Sequence, residues 1–111
     1  MVEDDDLLER IGRLSDRAST EPEDTRLLAE IEDVLAEGYL IAMNAESRSR
    51  RLAERAEVLV DRLDDPGAAL ELRRLSAQRR GLEQRTRLLR SHLAVMREHF
   101  IRLGGAQSAY R

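Results

Sequence analysis

The sequence contains no cysteine, no tryptophan and only three aromatic residues among its 111 positions. Without cysteine, the chain has neither disulfide bonds nor thiolate ligands for a metal ion. Because aromatic residues are so few and 37% of residues are charged, a β-sandwich or β-barrel is also excluded. The abundant residues are leucine, arginine, alanine and glutamate, which are typical of long helices and coiled coils.

Long apolar runs are also missing. The longest, Tyr39 to Met43, is far shorter than the ~20 residues of a membrane-spanning helix. The acidic start of the chain, Met1 to Asp6, lacks the positive charge and the apolar run of a signal peptide. We therefore expect a cytoplasmic protein that does not enter a membrane.

Proline and glycine mark where helices can begin and end. Two prolines interrupt the chain: Thr20–Glu23 has the pattern of a capping box, and Asp65–Pro66 offers a second helix start. Gly104–Gly105 can end the last segment, because glycine readily adopts the left-handed conformation of a helix C-cap. The sequence thus predicts a single helical domain over residues 1–111, with a short helix at about 4–17, long helices at about 22–64 and 66–103, and a flexible tail at 104–111.

Apolar residues at spacings of three and four run along both long segments, as in a coiled-coil seam. They are Leu28, Ile31, Leu35, Gly38, Ala42, Ala45, Ser49, Leu52, Ala56, Leu59 and Leu63, then Ala68, Leu72, Leu75, Arg79, Leu82, Thr86, Leu89, Leu93, Met96, Phe100 and Leu103, each series with polar interruptions. The short connection forces the two helices to run antiparallel, and facing residue numbers should sum to about 131. The predicted fold is all-α, an antiparallel long helical hairpin (a coiled coil) with a short N-terminal third helix.

Polar residues interrupt this seam at Arg79 and Thr86, with Ser49 nearby on the facing helix. Arg79 can lie along Leu52 and place its guanidinium in water or near Glu54. Alternatively, the polar residues form a layer that fixes the register of the two helices.

A partner-binding surface is predicted near the middle of the second helix. Residues 39–43 are apolar almost all the way round the helix, more than one seam can bury. We expect Tyr39, Leu40 and Met43 to contact a protein partner, either a second copy in a four-helix bundle or a client helix. The structural alternative is that they are ordinary scattered surface residues.

Charge is distributed unevenly, with a net of −9 over residues 1–37 and +7 over residues 66–111. Arg85, Arg87 and Arg90 could follow the phosphates of a nucleic acid or another polyanion, which is the alternative function. They could equally pair with the acidic residues Glu3–Asp6 of the first helix. Nucleic-acid binding takes second place, because no aromatic residues interleave with the arginines for base stacking.

Residue patterns for metal binding and catalysis are absent. His92 and His99 lie about 10 Å apart along one helix, too far to share an ion. The positions three residues before them are Leu89 and Met96, so the Glu-x-x-His motif of carboxylate-bridged metal bundles is lacking. Neither a glycine-rich phosphate loop nor a nucleophile elbow occurs. We expect no metal, no cofactor and no enzymatic activity.

Three segments resemble the bacterial flagellar export chaperones, the substrate-specific helpers of the type III export apparatus. They are Leu35-Ala36-Glu37-Gly38, Arg51-Leu52-Ala53-Glu54-Arg55, and the last helix, Leu88 to Leu103, with Tyr110 in its tail. The resemblance covers about two thirds of the chain. It implies a cytoplasmic chaperone or adaptor whose exposed apolar helix face binds the C-terminal helices of a filament-cap or hook-junction protein until export.

Overall fold

The computed structural model describes residues 2–104, with side chains from residue 5 onward. Within these residues the chain is all-α, with three helices and no strand. They are α1 (Val2–Thr20), α2 (Leu27–Val60) and α3 (Pro66–Arg102). Across residues 2–104, no helix is long and apolar enough to cross a membrane.

The connection between α1 and α2 differs from the predicted capping box. Thr20 is the last residue of α1, and its hydroxyl donates a hydrogen bond to a carbonyl one turn earlier in the same helix. Asp24 forms the turn instead: its Oδ1 accepts the N–H of Arg26 at 3.0 Å, and its carbonyl accepts the N–H of Leu27 at 3.1 Å. As a result α2 begins at Leu27, because Asp24 rather than Thr20 supplies the oxygen that accepts backbone N–H groups.

The two ends of α3 follow the predicted residues, whereas α2 ends at Val60 rather than at about residue 64. Asp65 Oδ1 accepts the N–H of Gly67 at 3.0 Å, which caps α3 at its predicted start. Gly104 has a φ of +90°, and its N–H donates to the carbonyl of Ile101 at 3.0 Å, as expected where a glycine ends a helix. The predicted flexible tail, apart from Gly104, lies outside the described residues.

The chain divides into two compact units. Residues 1–41 and 89–111 form the three-helix unit, which contains α1, the first part of α2 and the last part of α3. Residues 42–88 form the two-helix unit, which contains the rest of α2, the turn and the rest of α3. Folding of the whole chain as one domain stays a prediction.

The three-helix unit contains most of the buried leucine and isoleucine side chains. From α1 it buries Leu7, Ile11 and Leu14, which follow one another at spacings of four and three and so share one face of the helix. From α2 and α3 it buries Leu27, Ile31, Val34, Leu35, Leu89, Leu93 and Met96. Leu27 and Val34 were not part of the predicted seam. Val34 lines the same small cavity as Leu14, so contact with α1 adds a second buried side to α2.

The two-helix unit is a hairpin, and its helix packing fits the predicted antiparallel pairing of α2 with α3. Two polar contacts join its helices: Ser49 donates to Glu83 at 3.3 Å, and Arg55 forms an ion pair with Glu71 at 3.1 Å. Its fully buried large side chains are few. They comprise Leu59 and Leu82, with Ala42 and Ala68 as smaller buried residues. Leu63 was predicted to lie in the seam, but it is 50% exposed because α2 ends at Val60.

Candidate protein-binding surfaces

The three residues predicted to bind a partner differ in exposure. Leu40, in the three-helix unit, is 59% exposed, whereas the neighbouring Tyr39 is half-buried. Met43, in the two-helix unit, is also 59% exposed. Two of the three side chains thus present apolar area to water, as a contact surface requires.

Tyr39 is half-buried partly because Arg90 of α3 packs on it. The guanidinium carbon of Arg90 lies 5.9 Å from the centroid of the Tyr39 ring, within the range of a cation–π interaction. Arg90 was predicted in the polyanion set and Tyr39 in the partner set, so the structure brings one member of each together. The contact withdraws part of both side chains from any external ligand.

The three arginines of the polyanion prediction do not share one environment. Arg85 and Arg87 are exposed and belong to the two-helix unit, whereas Arg90 is half-buried in the three-helix unit. Neither Arg87 nor Arg90 is without a partner. Of their predicted partners Glu3–Asp6, the side chains of residues 3 and 4 lie outside the described residues.

The two-helix unit contains an open groove. It has a volume of about 300 Å³, and its apolar floor is formed by Leu52, Ala56 and Leu75. All three residues belong to the predicted seam, yet each is only half-buried. The length of the predicted hairpin already indicated such a groove, because two helices alone leave both sides of the seam between them exposed to water.

Charged residues border this groove. Arg79 is exposed, and its Nε lies 3.0 Å from the Glu83 carboxylate, which also accepts the hydroxyl of Ser49 at 3.3 Å. The exposure of Arg79 agrees with the first of the two alternatives drawn from the sequence, but its partner is Glu83 rather than Glu54. Thr86 satisfies its hydroxyl within α3 by donating to the Leu82 carbonyl at 2.8 Å.

A second cavity, of about 240 Å³, lies between α1 and α2 in the three-helix unit. Arg10 and Arg17 line it, and carboxylates neutralise both. Arg10 lies 2.6 Å from Glu37, and Arg17 pairs with Glu30 and, at 2.8 Å, with Asp24. These pairs join α1 to α2 and their connection, whereas Arg13 and Asp33, which also line the cavity, form no hydrogen bond or ion pair among the described residues.

The Arg17 cluster shifts two pKa values. The pKa of Asp24 is lowered, chiefly because its carboxylate accepts the Arg26 N–H and secondly because Arg17 donates to it. The pKa of Arg17 is raised by its hydrogen bonds to Asp24 and Glu30. Both shifts favour the charged forms, as expected for a structural ion pair.

The histidines and carboxylates of the described chain do not assemble into a metal site. Within residues 5–104, no group of three or more histidine, aspartate or glutamate side chains is arranged to hold an ion. His92 is exposed, and Arg102 lies 2.7 Å from Nδ1 of the His99 ring. The candidate surfaces are therefore the groove and the exposed apolar residues of α2.

Comparisons of the chain with protein families, curated proteins and solved structures found no match.

Proposed function

We propose that this chain is a non-enzymatic helical protein–protein interaction module that binds a partner helix. One observation carries the proposal: Leu52, Ala56 and Leu75 form the apolar floor of an open groove in the two-helix unit and are only half-buried. A helix laid in that groove would complete their burial, and coiled-coil packing of its side chains is part of the proposal.

The free energy for binding would come from apolar side-chain area that the two-helix unit leaves exposed to water. Full burial of a leucine side chain contributes about 1.5–3 kcal/mol relative to full exposure. Leu52 and Leu75 realise only part of this free energy within the chain, since both keep part of their area in water. A partner helix in the groove would bury this remaining apolar area together with its own apolar side chains. The free energy gained supports binding without any catalytic chemistry.

Two kinds of protein partner are consistent with this surface. A second copy of the chain would form a homo-oligomer. The resemblance to flagellar export chaperones suggests instead a client helix from an exported protein, with the chain acting as a chaperone or adaptor in the cytoplasm. Both partners would use apolar helix packing, and neither calls for a cofactor.

The alternative is binding of nucleic acid or another polyanion through Arg85, Arg87 and Arg90. Exposure of Arg85 and Arg87 favours it. The packing of Arg90 on Tyr39 weighs against it, because that guanidinium is already engaged. Phosphate contacts also respond steeply to salt, whereas apolar packing does not, so the two functions are separable by experiment.

Blocking the groove tests the principal proposal. Ser76 lines the groove, so Ser76→Arg should fill it, whereas Ala77→Arg adds the same charge at the next, exposed position. Each variant is used as bait with cells of the native host, and captured proteins are quantified against wild type. We expect Ser76→Arg to lose the partner and Ala77→Arg to keep it. Equal capture by both baits would refute groove binding.

A second set of baits separates the two candidate functions. Leu40→Ala and Met43→Ala, combined in one bait, should weaken partner capture by roughly 2–4 kcal/mol, as is usual for apolar hot spots; Tyr39 is kept because it packs against Arg90. Arg85→Gln with Arg87→Gln should leave it intact; Arg90 is kept because its loss would disturb Tyr39. If the arginine variant alone lost binding, and if wild type bound a labelled DNA duplex in a salt-dependent manner, the polyanion alternative would replace the proposal.

A further inference from the structure

The two units carry opposite net charge. By sequence, residues 1–41 and 89–111 contain 14 acidic residues against 8 arginines, a net charge of −6. Residues 42–88 contain 8 acidic residues against 11 arginines, a net charge of +3. Contacts between like units of two copies would therefore be repulsive, whereas a contact between unlike units would be attractive.

The groove of the two-helix unit has a basic border. Arg79 and Arg80 line it, and both are exposed. Arg79 is paired with Glu83, but Arg80 takes part in no hydrogen bond or ion pair among the described residues. An occupant that is apolar at its centre and acidic at its edge fits this border.

The three-helix unit offers such a surface on α2. Leu40 is its most exposed large apolar side chain. Ala36 and Glu32 precede it by one and two helical turns, and both are exposed, so the three residues share one face. Glu32 forms no hydrogen bond or ion pair within residues 5–104. The face thus combines a leucine, a small residue and an unpaired carboxylate.

From this complementarity we propose that the groove binds the Leu40 face of a second copy, so that Leu40 of one protomer packs on Leu52 and Leu75 of its partner. Glu32, two turns before Leu40, then approaches the arginines at the groove border. This inference rests on the proposed function and names its partner. It makes the association of two copies a contact between unlike units, in contrast to a symmetric pairing of groove with groove.

Cysteine cross-linking tests the contact directly, because the sequence has no cysteine of its own. Leu40→Cys protein is mixed with Ser76→Cys protein under mild oxidation. We expect a disulfide between positions 40 and 76 of different copies, at about tenfold the yield of a matched mixture of Leu40→Cys with Ala77→Cys, since bonding needs close and correctly oriented Cβ atoms. Either protein oxidised alone should yield little dimer.

Other outcomes overturn the inference. Cross-linking of Ser76→Cys to itself would mean that groove meets groove, and cross-linking of Leu40→Cys to itself would mean that the α2 faces meet. Sedimentation of wild type as a monomer at ~100 μM, where even weak contacts register, would also exclude self-association.

Salt dependence gives an independent readout that needs no variant. The range of electrostatic attraction falls from about 10 Å at 0.1 M salt to about 3 Å at 1 M. We expect the dimer to weaken only modestly as salt is raised, because its charged edge is screened while its apolar centre is not; a dimer unaffected by salt would contradict the role of unlike charge. If wild type stays monomeric while Ser76→Arg still loses a captured host protein, the interaction module stands and only the second copy is wrong as its partner.

Discussion

Gly38 of α2 lies directly against Leu93 of α3: a Cβ atom at position 38 would stand 2.4 Å from Leu93 Cδ2. Real Cβ atoms do not approach other atoms so closely, so the hydrogen atom of glycine permits this helix–helix distance. The two residues were expected to face each other from the register of the hairpin. Leu93 is fully buried, which leaves its side chain little space to move away.

The first prediction concerns this contact. Gly38→Ala should destabilise the protein by up to about 2 kcal/mol, because overpacking costs about 1–3 kcal/mol and the better helix propensity of alanine regains about 1 kcal/mol. Gly12→Ala and Gly81→Ala are matched controls, since a Cβ at either position meets no atom within 4 Å. Both controls should stabilise the protein in urea unfolding.

The same substitution should reverse its sign when Leu93 is shortened. In a Leu93→Ala background, Gly38→Ala should stabilise by about 1 kcal/mol, because the clash is gone and the helix propensity gain remains. An unchanged penalty in that background would mean that Leu93 is not the residue that limits the approach of the helices.

The second prediction compares two neighbouring leucines at the start of α2. Leu27 is 0% exposed and Leu28 is half-buried, although the sequence pattern placed Leu28 in the seam and left Leu27 out. Leu27→Ala should cost about 2–5 kcal/mol, as for other fully buried leucines. Leu28→Ala should cost only about 1–2 kcal/mol, because part of its area remains in water in the folded chain. Urea unfolding in which Leu28→Ala is the more damaging change would contradict the described packing.

The third prediction is a pH dependence at Asp24. Its pKa in the folded chain lies below the ordinary value of about 3.9, because the Arg26 N–H and Arg17 stabilise the carboxylate. The resulting stability is fully present above the ordinary pKa and is lost as the pH falls through the lower folded value. Wild type should therefore lose more stability than Asp24→Asn when the pH is lowered from about 5 to about 2.5.

Urea midpoints measured at both pH values check this. Asp16→Asn serves as the control, because the Asp16 carboxylate forms no hydrogen bond or ion pair in the described part of the chain. It should keep the pH dependence of wild type. A pH response of Asp24→Asn as steep as that of wild type would remove Asp24 as its source.

The fourth prediction concerns the packing of Arg90 on Tyr39. A double-mutant cycle with Tyr39→Leu and Arg90→Met should give a coupling free energy of about 0.5–1 kcal/mol in unfolding experiments, the usual size of a partly exposed cation–π contact. The control cycle replaces Arg90→Met with Arg97→Met, at an exposed arginine of the same helix. Coupling equal in both cycles would show that the guanidinium of Arg90 has no specific interaction with the ring.

The features of the fold that the sequence determined are mainly those that depend on residues close together in the chain. The helical class, the cap at Asp65 and the end of α3 at Gly104 depend on interactions between residues close in sequence, and these could be read from the chain. The contact of Gly38 with Leu93 also followed, because a short turn leaves two long helices only one antiparallel register. The cap at Asp24 could not be predicted in this way. The Thr20 hydroxyl donates to a carbonyl inside α1, and the Asp24 carboxylate accepts the backbone N–H in the turn instead.

Only the tertiary structure decided which apolar residues are covered. The heptad pattern treats Leu35 and Leu52 alike, but Leu35 is buried in the three-helix unit and Leu52 is half-buried in the two-helix unit. A seam position becomes fully buried only when enough helices surround it, and the number of neighbouring helices is not encoded in the spacing of apolar residues. The groove is therefore a property of the assembled helices, even though each residue on its floor was visible in the sequence as part of the seam.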